Sequence, residues 1–528
     1  VFKAEAHTKD KEMIVRGKHV VADRSVVMDK GLVSFSVLVL LMLVPLFGQW
    51  EADQRLTFDG ASSSVSSQSA RCIAATGDTL HVVWWDSRDG NSEIYYKRST
   101  NAGTSWGSDT RLTDDAAISA LPTIAVSGLT LHVAWYDTRD GSGNFEVYYK
   151  RSSDGGRSWG PDTRLTNDPA FSWYPSVALS GTNVHLVWRE SRDGNYEVYY
   201  KRSTDAGVSW QSDSRLTDAA GSSESPSVAA VPSGDVHVAW FDNRDGGAYE
   251  IYYKRSTDHG STWGTDQRLT NDPGVSFGAS VALSGPNVHI AFQDSRDGQW
   301  EIYYKRSTDG GATWGTDTRL TNATATSEHA SIVASGPNAH LVWWDNRDAN
   351  YEIYYKRSTT GGTSWEADTR LTNDASWSQQ PFIAVSGPRL HVVWKDGRDG
   401  NDEIYYKRNP TGNPVRIDEQ GNDARSTIHD ARLKIHPNPF RNRCDIRFTM
   451  QDARYETREE RSQKLEAGLR IFDASGRIVK TFAITNYHSP ITIHWNACDQ
   501  EGAALPPGVY FVNADAGVGP TVRIVKVR

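Results

Sequence analysis

From residue 53 to residue 408 the apolar positions come in short runs, cut by Gly, Asp, Asn and Ser. Between Ser280 and Thr321 four runs can be marked: Ser280–Leu283, His289–Gln293, Glu301–Arg306 and Asp317–Thr321. They are rich in Val, Ile, Tyr and Trp, the composition of strands bounded by turns. The second run, His81-Val-Val-Trp-Trp85 in its first occurrence, hardly alternates. A strand covered on both faces needs no polar face. Helical periodicity is absent throughout the array, so the pattern predicts units of four β-strands.

The units repeat. His81, His132, His185, His237, His289, His340 and His391 begin the second strands, at spacings of 51 to 53 residues. A fixed period of this size means supersecondary units that bury their apolar faces only against one another. Four strands per unit in a closed array is a β-propeller. First, second and third strands each occur seven times, the last third strand being Glu403–Arg408. Fourth strands carrying Arg-Leu-Thr follow the first six units and end at Arg370-Leu-Thr372. The seventh stands at the front, as Asp53-Gln-Arg55-Leu-Thr57. An open blade would leave an unpaired edge, which folded proteins avoid. The expectation is an all-β chain with a seven-bladed propeller over 53–408, closed by its N-terminal strand. Leu56 should then pack in blade seven as Leu320 packs in blade five.

A second signature joins the third and fourth strands: Ser307-Thr-Asp309-Gly-Gly311-Ala-Thr-Trp314, with close copies from Ser152, Ser203 and Ser256. Weaker copies begin at Ser99, with Asn101 in the Asp place, and at Ser358, with Thr360 there; the seventh unit reads Asn409-Pro-Thr. This resembles the Asp-box (BNR repeat) of sialidase-like propellers. The box has a structural reading of its own. Asp154, Asp205, Asp258 and Asp309 can accept bonds from turn N–H groups, glycine permits a left-handed backbone, and Trp159, Trp210, Trp263 and Trp314 can plug the gap between sheets. It marks a fold and not an activity.

The flanks differ. Residues 1–27 are polar and precede Met28, and read as an over-extended N-terminus. Residues 28–49 carry Lys30 and then an apolar run from Leu32 to Phe47, which fits a signal peptide and is short for a membrane span. Residues 409–430 read as a linker. Residues 431–528 read as a small β-sandwich, with Asp-Ala-Ser-Gly476 and Pro506-Pro-Gly508 turns. Pro437-Asn-Pro439, the hairpin Gly508-Val-Tyr510-Phe and the basic last strand Val522–Arg528 resemble the C-terminal sorting domain of type IX secretion cargo. The related immunoglobulin-like domain of flagellar hook-capping proteins is similar in pattern. The charged insert Asp452–Lys464 departs from it. These resemblances imply export, to the medium or a bacterial cell surface, with no membrane span after signal cleavage.

Composition narrows the field. A net charge of −8 over 528 residues argues against nucleic acid as the main partner. The three cysteines, Cys72, Cys444 and Cys498, show no metal-ligand spacing; Cys444 and Cys498 read equally as a pair or as two buried thiols. No cofactor is expected, Ca²⁺ being the candidate ion.

Chemistry could sit in the loop between strands two and three. It reads Asp86-Ser-Arg88-Asp89-Gly-Asn-Ser-Glu93 and returns around Arg139, Glu190 and Arg192, Arg244, Arg296, Arg347 and Arg398. Each copy carries three acids and one Arg, a formal charge of −2, which predicts an acidic face. Arg paired with Asp or Glu over a tight turn is a good hairpin closure. A Ca²⁺ site and a glycan- or peptide-binding ring are the other readings. The repeated histidines suit a core better than catalysis, since seven copies fit no single acid/base role. The pattern breaks at Arg189-Glu190, Gln293 and Lys395, and at the aromatics Trp173, Tyr174, Phe277 and Trp377. In sialidases the resemblance implies a Tyr nucleophile, a neighbouring Glu, an Asp acid, three arginines and an Arg-Ile-Pro element. Here Arg-Ile-Pro is absent and the Tyr pairs, such as Tyr95-Tyr96, recur in every unit. The expected function is a non-catalytic propeller binding a glycan or protein on its loop-bearing face. The alternative is a divergent glycoside hydrolase of exo-α-sialidase type.

Overall fold

The computed structural model describes residues 50–66, 70–141 and 143–413, and then 431–436, 443–450, 467–473, 478–484, 491–499, 502–514 and 522–526. The expectations for residues 1–27 and 28–49, for 414–430, for Pro437–Phe440 and for Asp452–Lys464 fall outside them. Among the described residues every regular element is a strand, and no helix is long and apolar enough to cross a membrane.

Seven antiparallel sheets form the propeller. In blade five the strands are Ser276–Ser284, Asn287–Asp294, Glu301–Ser307 and Thr318–Arg319, in that spatial order. First strands of successive blades adjoin one another and surround the axis. The fourth strand pairs over two residues only, because a side chain finishes its ladder. In blade one Leu112 N donates to Ile94 O (2.7 Å), but Ile94 N donates to Thr113 Oγ1 (2.8 Å). This explains Arg-Leu-Thr: the Arg reaches an acid, the Leu is buried and the Thr hydroxyl replaces a backbone acceptor.

The ring closes as the strand count requires. Gln54 pairs with Tyr406 and Arg55 with Tyr405, and Leu56 N donates to Ile404 O (2.8 Å). Leu56 and Leu320 are both buried. The core lies between blades: one cluster joins Ala282, Tyr304 and Leu320 of blade five to Ile332, Leu341 and Trp343 of blade six. Each such fully buried side chain contributes about 1.5–3 kcal/mol.

The Asp-boxes pin each blade to the one before. Asp154 Oδ1 accepts from Arg157 N and Ser158 N (both 2.9 Å), and Ser158 Oγ donates to Oδ2 (2.6 Å). These bonds, that from Ser158 foremost, hold the carboxyl well below the usual carboxylate range. Asn101 Oδ1 and Thr360 Oγ1 accept the equivalent N–H at 2.9 Å, so the weaker copies keep the turn. A Cβ on Gly156 would stand 2.0 Å from the Tyr96 hydroxyl of the preceding blade, so only glycine fits there. Trp159 lies edge-on to the same Tyr96, with centroids 5.0 Å apart. Trp210, Trp263 and Trp314 repeat this on Tyr149, Tyr200 and Tyr253.

Beyond the propeller, Ala431–His436, Cys444–Met450 and Ile491–Trp495 form one antiparallel sheet. Ala467–Asp473, Ile478–Ile484, Gly508–Ala514 and Val522–Lys526 form another. Cys444, Ile446 and Trp495 of the first share a buried cluster with Ile471, Val479 and Val512 of the second. The three cysteines are free thiols, and burial pushes that of Cys444 up to about 12.

Candidate binding site at the mouth of the ring

The recurrent loop between strands two and three turns its chemistry inward. Asp86 is fully buried. It accepts from Ser63 Oγ (2.7 Å), Trp84 Nε1 (3.0 Å) and Arg88 (2.6 Å). Burial alone would raise its pKa, but the bonds from Arg88, Ser63 and Trp84 outweigh it and hold the group low. Arg88 also pairs with Asp109 (2.8 Å), which pairs with Lys97 (2.8 Å). Glu93 is fully buried and takes Arg111 (2.9 Å), while Asp89 accepts from the Tyr95 hydroxyl. Arg139, Arg244, Arg296, Arg347 and Arg398 repeat the double pairing, each with its own Asp and the Asp before the fourth strand. Glu190 plays the part of Asp86, accepting from Ser172, Trp188 and Arg192.

The expected acidic face is corrected on this point. Two of the three acids in each loop lie under the surface, and Arg and Lys from the third and fourth strands answer the charge. Asp86, Arg88, Asp89 and Arg192 are therefore parts of a hairpin lattice. The same holds for the histidines. His289 Nδ1 and the Tyr304 hydroxyl are 2.7 Å apart, and burial, with Arg306 nearby, lowers the imidazole to about 4.

What differs between blades collects elsewhere. In blades two to seven the first strand opens with a bulge, where two residues oppose one. The bulged residue is Leu121, Tyr174, Ser225, Gly278, His329 or Gln380, each with φ between 45° and 65°. In blade one the strands Ser63–Ser64 and Ile73–Thr76 both pair with the second strand. Five of the six bulged residues are not glycine, so the left-handed backbone is imposed by the register and not by the residue. A bulge re-aims the side chains beside it, and at this position the residue types are all different. The sequence shows the residues but not the bulge, because a two-for-one register breaks the alternation by which strands are read.

The residues before the bulge and at the end of the second strand join this rim. Arg189 is buried under three rings, its guanidinium 4.3 Å from Trp173, 4.7 Å from Tyr174 and 4.1 Å from Tyr196. It pairs with Glu224 of the next blade at 2.5 Å. The Tyr249 hydroxyl donates to the other oxygen of Glu224 (2.9 Å), and burial followed by that bond pushes the phenol up to about 12. Ring contacts run on: Tyr136 to Trp173 in one direction, and Tyr249 to Phe277 to Trp300 in the other. In blade six His329 lies tilted against Trp344, with centroids 5.5 Å apart, and Trp344 meets Tyr351 edge-on at 4.3 Å. The carboxylate of Glu328 beside it has no hydrogen bond or ion pair with another described residue, and burial raises its pKa. Lys395 of blade seven lies 4.9 Å over Trp377 and 3.3 Å from Asp402.

Of the sequence candidates, Trp173, Tyr174, Arg189 and Phe277 thus come together on the rim. Trp377 stands two residues before the inner position held by Trp173, Phe277 and Gln379 in their blades, packed on the backbone of Gly397. Glu224, Tyr249, Glu328, His329, Trp344 and Gln380 were not singled out from sequence. Comparing the units position by position at the two residues after the opening Ser of the first strand, where the copies disagree, would have found Glu224, Glu328, His329 and Gln380; Tyr249 and Trp344 stand at two further variable positions, before the third strand and near the end of the second.

Residues 45–290 match the family model of the BNR repeat-like domain. No curated protein matches the chain. Among solved structures, a family PL25 ulvan lyase is similar at 14% identity and a TM-score of 0.49, over 67% of this chain and 95% of that one. A mutant Trypanosoma rangeli sialidase with trans-sialidase activity is similar at 12% identity and a TM-score of 0.40, over 78% and 88%. A Penicillium chrysogenum α-L-arabinanase complexed with arabinobiose is similar at 16% identity and a TM-score of 0.40, over 55% and 92%.

Proposed function

We propose that this chain is a secreted or cell-surface propeller that binds a glycan, without cleaving it, on the rim of its loop-bearing face. The observation that carries the reading is the asymmetry of the rim. The loops are one lattice repeated, while the bulged positions offer six different residues beside a belt of partly exposed rings. Sugar rings stack on aromatic faces and take hydrogen bonds from polar groups between them. Trp173, Tyr174, Phe277 and Trp300 supply the faces, and Glu328, His329 and Gln380 the polar groups. A protein ligand would use the same belt and is the competing outcome.

The sialidase reading needs a cluster of free arginines. Arg189 is the one arginine among the described rim residues, and Glu224 neutralises it. Tyr249 sits beside a Glu, but its pKa is raised, the reverse of an activated nucleophile. Residues 431–528 serve in this reading as the sorting domain that hands the protein to type IX export. A glycan array probed with the full-length secreted protein is the test. Saturable binding to a defined oligosaccharide supports the reading; no glycan bound, together with sialoside turnover, overturns it.

A further inference from the structure

The cluster around Arg189 lies on the seam between blades three and four, and its parts recur on the seam between blades five and six. The two seams are docked alike. Val228 N of blade four donates to Ser176 Oγ of blade three at 3.3 Å, and Ile332 N of blade six donates to Ser280 Oγ of blade five at 3.2 Å. Glu328 is the second residue of its first strand, as Glu224 is of its own. Phe277 pairs across the strands with Gln293 as Trp173 pairs with Arg189. Trp300 precedes the third strand as Tyr196 does, and it stacks on Phe277 with centroids 5.5 Å apart. Gly278 at the bulge carries no ring where Tyr174 stands.

What changes is the cation. On the first seam Arg189 lies under its rings and meets Glu224 at 2.5 Å. On the second, Gln293 holds the arginine's place, and its Oε1 accepts from His329 N at 3.1 Å. The reach across the seam is kept, but an amide brings no charge to the acid beside His329. Glu328 is half-buried, and its carboxylate has no hydrogen bond or ion pair with another described residue. Lys395 is engaged elsewhere, with Asp402 and over Trp377. Taking a carboxylate partly out of water without a partner is costly, and a cation beside a ring face is attracted by the ring. An acid across the seam from two rings is a cation site that the chain does not fill itself.

We propose that the seam between blades five and six binds the protonated amine of an amino sugar, seated on Glu328 and flanked by Phe277 and Trp300. This rests on the reading of the rim as a glycan site and names the class of sugar. A compact ammonium suits the place better than a planar fork. One carboxylate is offered, and Gln293 already takes up the length of the arginine's stem.

Titration calorimetry of the full-length protein tests this, with a β-1,4 glucosamine trisaccharide and with its N-acetylated form, at a pH where the amine is protonated. The wild type should bind the amine form at least about tenfold tighter. Glu328→Gln should bring the amine form down to the level of the N-acetylated one. Gln293→Arg should supply the cation from within, as Arg189 does for Glu224. It should abolish the preference and raise the melting temperature, and it serves as the comparison if Glu328→Gln fails to fold. Equal affinities for the two forms in the wild type, or a preference that survives in the variant compared, overturn the amine site and leave the glycan reading standing. Arginine amide bound more tightly than the amine trisaccharide gives the seat to a protein side chain and also overturns it. An array on which no glycan binds takes the glycan reading down as well.

Discussion

Trp50 lies edge-on against Tyr355, with ring centroids 5.1 Å apart and planes at 75°. That is the place and posture of an Asp-box tryptophan, yet the seventh box has none. Asn413 stands where the other boxes have glycine, and takes Asn338 (2.7 Å), His340 (3.1 Å) and Gly387 O (2.6 Å). The N-terminal segment therefore returns two lost parts to blade seven, a fourth strand and a plug. Trp50→Ala should cost about 2–3 kcal/mol, less than a fully buried Trp because one side is open. Removing residues 50–58 should cost more, with the Glu403–Asn409 edge left unpaired. Urea unfolding midpoints measure both. Variants as stable as the wild type would show that the seam does not depend on this segment.

Sialoside hydrolysis should be absent. In each Tyr pair one hydroxyl is bound to the loop Asp and the other to the core His, as in Tyr95 with Asp89 and Tyr96 with His81. Burial raises both phenols. A fluorogenic sialoside turned over above buffer, and silenced by one Tyr→Phe change, would contradict this.

Trp173 should matter more than Trp377 for ligand. Trp173 touches Tyr136, Phe145 and Tyr174 and covers Arg189; Trp377 stands outside the inner ring. Trp173→Ala should weaken glycan binding about tenfold, the worth of one stacked ring at 1–1.5 kcal/mol, and Trp377→Ala less than threefold. Equal losses, or none, measured on an identified oligosaccharide would dismiss the stacking model.

Acid should unfold the propeller before its carboxylates titrate. Burial lowers His81, His132, His185 and His391 to about 3 and His237, His289 and His340 to about 4. Below pH ~6.5 the unfolded chain takes up protons that the folded one refuses, so stability falls as pH falls. The slope is about 1.4 kcal/mol per pH unit for each histidine, over the window from ~6.5 to ~4. Denaturation midpoints at pH 7, 6 and 5 should drop steadily. A flat profile would mean that the imidazoles titrate normally.

Deleting residues 431–528 should leave a folded propeller retained in the periplasm of a host with type IX export. Release of the truncated protein at the normal rate would rule out the sorting role.

Sequence by itself determined the units, their number and the closure, since each rests on local chemistry repeated at a fixed period. Arg-Leu-Thr can only end a ladder, the Asp-box can only close one kind of turn, and counting fourth strands places Leu56 beside Ile404. Tertiary structure alone decided where the acids point and where the blades differ. Asp86 and Glu93 look exposed in a Gly-rich loop, but Arg88, from the same hairpin, and Arg111, eighteen residues beyond Glu93, cover them. The bulges that set Tyr174 and His329 on the rim follow from strand register, which no single repeat reveals. Arg71 reaches Val281 O of blade five, 210 residues away. No repeat unit carries that contact, so counting strands does not reveal it.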